Sequence, residues 1–295
     1  MSKRFSRHVR IIGAGRTDGG VHSRGQAFHF DLYEKEIRAS KSATKEMGEV
    51  AEFSDESNVT LVSSDFLAQL QKSMNRMLAQ DIRVWNLSQG PSIEVINGTL
   101  ITKTYYWHAM ASAKAKLYCY RLSLQPGSIT LDPLQRFTRV HIPDSVDVDY
   151  LRTLLKHFEG THDFRAFAGA VDSYQRKIGS TASEKNTIRT IYNITLVDES
   201  CLGSSSGNYR IDFILKGALF KMVRNIVGTV LEVAKGKMDE SLLLQLLLQN
   251  STNSITTDNP AGSTNAPFTR KDNKCKPAAP EGLTLEHVFY DDETF

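Results

Sequence analysis

The chain has 295 residues, 40% hydrophobic and 23% charged, with a net charge of +3. This composition excludes disordered and fibrous classes and leaves enough apolar material for one large or two ordinary cores. Cys119, Cys201 and Cys275 lie far apart with no C-x-x-C pair, which argues against a disulfide framework or a zinc site. The first ten residues carry scattered bases with no apolar run behind them, which argues against a secretory signal. Charge is unevenly spread. Residues 1–30 carry Lys3, Arg4, Arg7, Arg10, Arg16 and Arg24 against the single acid Asp18, while residues 281–295 hold five acids and no base. A basic end points to an anionic partner, most commonly nucleic acid, although a solvated basic tail reads the same way.

In chain order, VRII (9–12) and QAFHFDL (26–32) predict strands on either side of a glycine-rich bend, GAGRTDGGVHSRGQ (13–26). Residues 38–60 are polar and acidic and read as a solvated insert. SSDFLAQLQKSMNRMLAQD (63–81) predicts a helix capped by Asp65, with Phe66, Leu70, Met74, Met77 and Leu78 on one stripe. IRVWNLSQ (82–89) alternates as a strand does, and LYCYRLSL (117–124) predicts another. DYLRTLLKHFEG (149–160) predicts an amphipathic helix closed by Gly160. Residues 169–186 read as a loop. RTIYNITLV (189–197) and YRIDFILKG (209–217) read as strands around a Ser/Gly turn at 203–208.

LFKMVRNIVGTVLEVAKG (219–236) predicts a helix with Leu219, Met222, Val223, Ile226, Val227, Val230, Leu231 and Ala234 on one stripe, followed by a shorter helix over 239–249. The leucine run 241–249 is too short to span a bilayer. Residues 250–280 read as irregular, and GLTLEHVFY (282–290) as a last strand. Helices and strands mix without a βαβ rhythm. The expected class is α+β with mainly antiparallel sheet, in two halves, 1–124 and 149–295, joined by a connecting segment at 125–148.

Three stretches carry the chemistry. The bend lacks the G-K-[ST] of a phosphate-cradling loop and fails G-x-G-x-x-G, because Asp18 stands where the third glycine belongs. Asp-Gly-Gly alone is ordinary turn chemistry, but a turn does not require Arg16, His22 and Arg24 around it. A carboxylate held among cations stays ionised and is suited to be a nucleophile. YYWHAMASAKAKLYCYR (105–121) interleaves Tyr105, Tyr106, Trp107, Tyr118 and Tyr120 with Lys114, Lys116 and Arg121. That suits a nucleic-acid surface, although a strand with core-facing aromatics is the commoner source of such a pattern. Tyr118 and Tyr120 share one face by the period of two. In FKMVRNIVG (220–228), Arg224 interrupts an apolar helix start, either snorkelling outward or turned toward a buried acid, for which Asp18 is the unexplained partner. His157 and His162 have no acid in register and read as surface or helix-end residues rather than metal ligands.

Together these stretches resemble the TruA family of tRNA pseudouridine synthases, from about residue 11 to residue 290. The bend resembles the family's aspartate signature and SAKAKLYCYR its tyrosine motif. HDFRAF (162–167), MVRNIVG (222–228) and PEGLTLEHV (280–288) are similar to further blocks in the family's order. The resemblance implies two α+β halves meeting at a basic active-site cleft. It also implies isomerisation of uridine to pseudouridine in tRNA, usually at positions 38–40 of the anticodon arm, without cofactor or metal. Asp18 is then the nucleophile, Tyr118 stacks on the target uracil and assists proton removal, and Arg224 pairs with Asp18. Arg16 contacts RNA and helps hold the base out of its stack, with His22 and Arg24 beside it on the RNA-binding side.

The family's usual first strand and helix, with its Y-D-G…G-W-Q block, has no counterpart in the twelve residues before Gly13, so an N-terminally truncated first half is expected. Met110 stands where the family often has Arg. The competing expectation is a catalytically weak tRNA-binding scaffold of the same fold. Bacterial members of the family form dimers, which makes a homodimer a further expectation. A cytoplasmic or organellar location, with no membrane partner, is the expected setting.

Overall fold

The computed structural model describes residues 2–33, 35–37, 62–97, 100–127, 133–169, 171, 186–200, 207–252 and 268–290. The stretch 38–60 lies outside them, as do most of 169–186, part of the turn region at 203–208, and 253–267 within the stretch read as irregular. Contacts divide the chain into two units, Met1–Ala14 with Ala27–Ser112, and Gly15–Gln26 with Ala113–Phe295.

In the first unit β1 (Ile12–Gly13) pairs antiparallel with β3 (Phe28–His29); β2 (His22–Ser23), between them in sequence, belongs to the second unit. Helix α1 (Ser64–Met77) is capped by Ser63, whose hydroxyl accepts from Phe66 N at 3.3 Å. Asp65, expected as the cap, instead sits in the first turn, where its charge complements the helix dipole. Phe66, Leu70 and Met74 are buried against Val84, whereas Met77, expected on the same stripe, is exposed.

Residues 82–89 form no strand, contrary to the alternation of their side chains. Asn86 takes φ 52°. The backbone there bonds to side chains of α1: Asn75 exchanges two 2.7 Å bonds with Val84, and Gln71 accepts from Leu87 N at 2.9 Å. These bonds occupy the groups a strand partner would use. A hairpin not foreseen from the sequence follows, β4 (Ser92–Asn97) against β5 (Leu100–Tyr106), with Ser92 opposite Tyr106.

The second unit is built on a seven-stranded sheet in the order β2, β11 (Leu283–Phe289), β6 (Ala115–Leu124), β10 (Asn208–Leu215), β9 (Ile188–Asp198), β8 (Gly160–Asp163). β7 (Val140–Ile142) is joined to the end of β6. The β2–β11 and β6–β7 pairs are parallel and the rest antiparallel. Helices α2 (Val148–Lys156), α3 (Met222–Ala234) and α4 (Glu240–Thr252) complete an α+β unit. α2 is capped by Asp147 and ends at Lys156. Gly160, expected to close it, takes φ 96° and opens β8.

One core gathers Tyr120, Leu122, Ile211 and Phe213 from the sheet, Leu151, Leu154 and Leu155 from α2, and Val223, Ile226, Val227 and Val230 from α3. Strand alternation sends charged residues to the other side. Arg121 and Arg210 lie directly opposite each other on β6 and β10, a repulsive pairing unless an acid intervenes. Glu199 intervenes, 4.0 Å from Arg121 and 3.1 Å from Arg210, and binds buried Arg139 at 2.5 Å. Arg139 also donates to Leu122 O and Tyr209 O, so its charge is fully engaged.

Candidate active site

Residues 15–26 form a loop whose neck and tip are both fixed. Gln26 Nε2 donates to Gly15 O at 2.9 Å across the neck. At the tip Val21 N donates to Asp18 O at 3.1 Å, closing a turn in which Gly20 takes φ 81°, a conformation that glycine adopts without penalty. Beyond the turn, β2 docks parallel on β11, with His22 opposite Thr284, and Arg24 N donates to Leu285 O at 2.9 Å. A Cβ on Gly25 would stand 2.1 Å from Glu286 O, so only glycine permits this docking. The loop thereby anchors Asp18 to a strand near the far end of the chain.

Arg224 comes from the first turn of α3. Its Nη1 donates to Asp18 Oδ2 at 3.1 Å, and both side chains are largely buried, 11% and 15% exposed. Its Nε donates to Ala278 O at 2.7 Å. That carbonyl is itself held: Ala278 N donates to Arg224 O at 2.9 Å, and Tyr120 Oη donates to Ala279 O at 3.0 Å. Segment 276–279 therefore lies along α3, against Gly228, where a Cβ would stand 2.1 Å from Lys276 O. The guanidinium is oriented by a backbone carbonyl on one side and presents its other edge to the carboxylate.

Tyr118 stands on β6 between Phe213 of β10 and Leu285 of β11 and packs on the rim of the core. Burial pushes its hydroxyl up to about 12, and the Asp18 carboxylate adds to the rise. The phenol therefore stays protonated across the neutral range. Two residues earlier on the same strand face, Lys116 is buried, and its ammonium sits 3.0 Å from where a Cβ of Gly15 would be. Burial lowers its pKa.

The structure thus brings together Asp18, Arg224 and Tyr118, three side chains drawn from a loop, a helix and a strand. Arg16 and Arg24 are exposed on the same loop, Arg24 3.9 Å from Glu286. His22 Nε2 lies 2.5 Å from Phe137 O, a bond within the chain. The aromatic–basic stretch 105–121 is split between β5 and β6, which belong to different units. Tyr120 is core, and Arg121 is paired with Glu286 at 2.8 Å rather than turned to a ligand. The side chain of Tyr105 lies outside the described residues. Ala278 O, which fixes Arg224, and the burial of Lys116 beside Gly15 do not follow from the sequence, which reads Lys116 as a base of a nucleic-acid surface. The first is a backbone atom with no residue signature, and the second is an ordinary lysine until its burial is seen.

His157 pairs with Glu240 at 2.9 Å, and His162 Nε2 lies 2.8 Å from Glu159 O. Among the described residues no three His, Cys, Asp or Glu side chains gather as a metal site requires, and no helix is long and apolar enough to cross a membrane. Chemically, the site offers a carboxylate with one oxygen pinned by a cation, a neutral phenol nearby, and exposed arginines on the same loop.

A family model described as tRNA pseudouridine synthase matches residues 154–267, a stretch that contains Arg224 but neither Asp18 nor Tyr118. Curated relatives extend the similarity over nearly the whole chain. tRNA pseudouridine synthase A 1 of Protochlamydia amoebophila (strain UWE25) is 29% identical over 285 residues, 97% of this chain and 81% of the relative. tRNA pseudouridine synthase A of Chlamydia muridarum (strain MoPn / Nigg) is 29% identical over 286 residues, 96% of this chain and 77% of the relative. The protein of the same name from Geobacillus sp. (strain WCH70) is 29% identical over 286 residues, covering 96% and 82%.

Proposed function

Since the chain belongs to the TruA-type tRNA pseudouridine synthases, we propose that it isomerises uridine to pseudouridine in the anticodon arm of tRNA, at positions 38–40, with Asp18 as the nucleophile. The observation that carries this reading is the Asp18–Arg224 pair, 3.1 Å apart and largely buried, beside a neutral tyrosine. A buried carboxylate with one oxygen held by a guanidinium keeps its other oxygen oriented for attack.

In this reading the target uridine is turned out of its stack, and phosphate contacts by Arg16 and Arg24 offset the cost of a few kcal/mol. Asp18 Oδ1 adds to the ribose or to the uracil ring, and the bond from C1′ to N1 breaks. The uracil rotates, C5 bonds to C1′, and the bond between Asp18 and the substrate breaks, which restores the free carboxylate. The proton on C5 leaves and N1 ends protonated, so substrate and product are isomers and no oxidant or co-reactant is consumed. Tyr118 stacks on the uracil. Its hydroxyl, protonated at neutral pH, relays the C5 proton within a hydrogen-bonded path rather than acting as a standing phenolate. Arg224 keeps Asp18 aimed, and Ala278 O keeps Arg224 aimed.

The test is incubation of the purified chain and of Asp18→Ala with an unmodified tRNA transcript, followed by mapping of pseudouridine. Product in the anticodon arm from the wild type alone is the expected result. A well-folded wild type that binds tRNA and makes no product would instead favour a binding scaffold. Gel filtration with light scattering tests the accompanying expectation of a homodimer.

A further inference from the structure

The turn that delivers α3 to the site carries two side chains that the chemistry above does not use. Met222 N donates to Leu219 O at 3.0 Å, and Lys221, third residue of this tight turn, takes φ 59° and ψ 9°. This is the left-handed conformation that turns of this kind normally give to glycine or asparagine. A long side chain there is held at a cost in stability, and such outliers gather where ligands are gripped.

Phe220, beside Lys221, is 46% exposed, yet its ring is not loose. Gly169 N donates to Phe220 O at 2.7 Å, and a Cβ on Gly169 would stand 2.8 Å from Phe220 Cδ1. The ring is seated on the backbone that follows HDFRAF, and the Lys221 ammonium lies 5.2 Å from its centroid. Arg224, which holds Asp18, is four residues further on, in the first turn of α3. A seated, half-open aromatic ring with a cation beside it, four residues before the arginine that holds Asp18, is the arrangement that holds an unpaired nucleotide: the ring takes the face of the base and the cation takes the phosphate.

We propose that Phe220 and Lys221 form a stacking platform for an RNA base neighbouring the target uridine, a placement that rests on the reading of the chain as a tRNA-acting isomerase. Extruding the uridine leaves its neighbour with one face unstacked, and the Phe220 ring replaces the lost stack. Lys221 keeps its left-handed backbone because that conformation sets its ammonium beside the ring.

The test compares the full chain with Phe220→Leu, Phe220→Trp, Lys221→Gly and Lys221→Gln in three measurements: binding to an unmodified tRNA transcript over a salt series, pseudouridine formation, and thermal melting. Leucine keeps apolar volume over Gly169 but has no ring to stack. Phe220→Leu is expected to weaken tRNA binding roughly 5- to 100-fold, and Phe220→Trp to bind as the wild type does. Lys221→Gln is expected to reduce the salt slope by about one phosphate contact. Lys221→Gly relieves the backbone, so it is expected to melt higher while binding more weakly, an opposition that a purely structural lysine does not produce.

A Phe220→Leu protein that binds tRNA as tightly as the wild type overturns the platform and leaves the isomerase reading intact. A wild type that makes no pseudouridine, with Phe220→Leu still losing affinity, overturns the isomerase reading and leaves the platform standing. A wild type that does not bind tRNA overturns both. If Phe220→Leu fails to fold, the Lys221 pair decides: unchanged affinity and salt slope in both variants overturns the platform.

Discussion

Arg224 and Asp18 are 206 positions apart in sequence and 3.1 Å apart in space. Substituting Asp18 by Asn keeps the shape of the side chain and removes its charge. Pseudouridine formation is expected to fall by at least ~10³-fold, the scale seen when a nucleophile is removed, while tRNA affinity stays within a few-fold of wild type. Single-turnover assays with a filter-binding control check this; substantial activity in Asp18→Asn would remove the carboxylate from the mechanism.

Tyr118 gives a pH-dependent signature. Its pKa is raised from the ordinary 10.0 to about 12 by burial and by Asp18, so the unfolded chain loses this proton before the folded one does. The stability contribution is fully present below pH 10 and is lost as pH rises from 10 toward 12, to the extent of roughly 2 kcal/mol. Tyr118→Phe should flatten that part of the stability curve, measured by denaturant melts between pH 8 and 11.5. The same variant keeps the ring and loses the hydroxyl, so activity should drop ~10²–10⁴-fold with tRNA affinity nearly kept.

Gly228 tests the support behind Arg224. With Lys276 O 2.1 Å from the Cβ position, Gly228→Ala must push segment 276–278 off α3 and carry Ala278 O away from Arg224. A stability loss of about 1–3 kcal/mol, with a melting temperature lower by several degrees, should be accompanied by a fall in kcat. Loss of stability with kcat intact would show that Ala278 does not position the arginine.

Arg139 lies on the other side of the sheet, bonded to Glu199, Leu122 O and Tyr209 O. Arg139→Ala leaves Glu199 with less than its full complement of partners and should cost about 3–5 kcal/mol. Activity per folded molecule should not change, which a melt and an active-site titration check separately.

Arg16 and Arg24 are exposed on the Asp18 loop. If both meet phosphates, each substitution by alanine should weaken tRNA binding without regard to sequence and lower the salt slope by about one. An unchanged slope would place the RNA elsewhere.

How much of this was readable in the sequence varies with the kind of force involved. Helix α3 and strands β6, β9, β10 and β11 follow from hydrophobic period alone, because burial of one face decides them. The true start of α3 at Met222 rather than Leu219 does not, since it depends on a left-handed Lys221 that no propensity scale favours. Strand-like alternation misled at 82–89, where Asn75 and Gln71 of α1 supply the hydrogen bonds that a neighbouring strand would have given. The cost of burying an unpaired guanidinium points from Arg224 to Asp18, the acid that the sequence leaves unexplained. Its second partner, Ala278 O, is a main-chain atom that any residue type would supply, so nothing in the letters marks it. The aromatic run at 105–121 looked like one surface because it is contiguous, yet the chain passes from one unit to the other within it.

β2 docks on β11, and Asp18 rides on the loop that this docking fixes. During synthesis, therefore, residue 18 leaves the ribosome long before the strand that receives it has been made. The Asp18 loop waits through more than two hundred and fifty further peptide bonds, with its seat still in the future. A stop codon anywhere before residue 283 would deny Asp18 its place while leaving every residue of the glycine-rich bend intact.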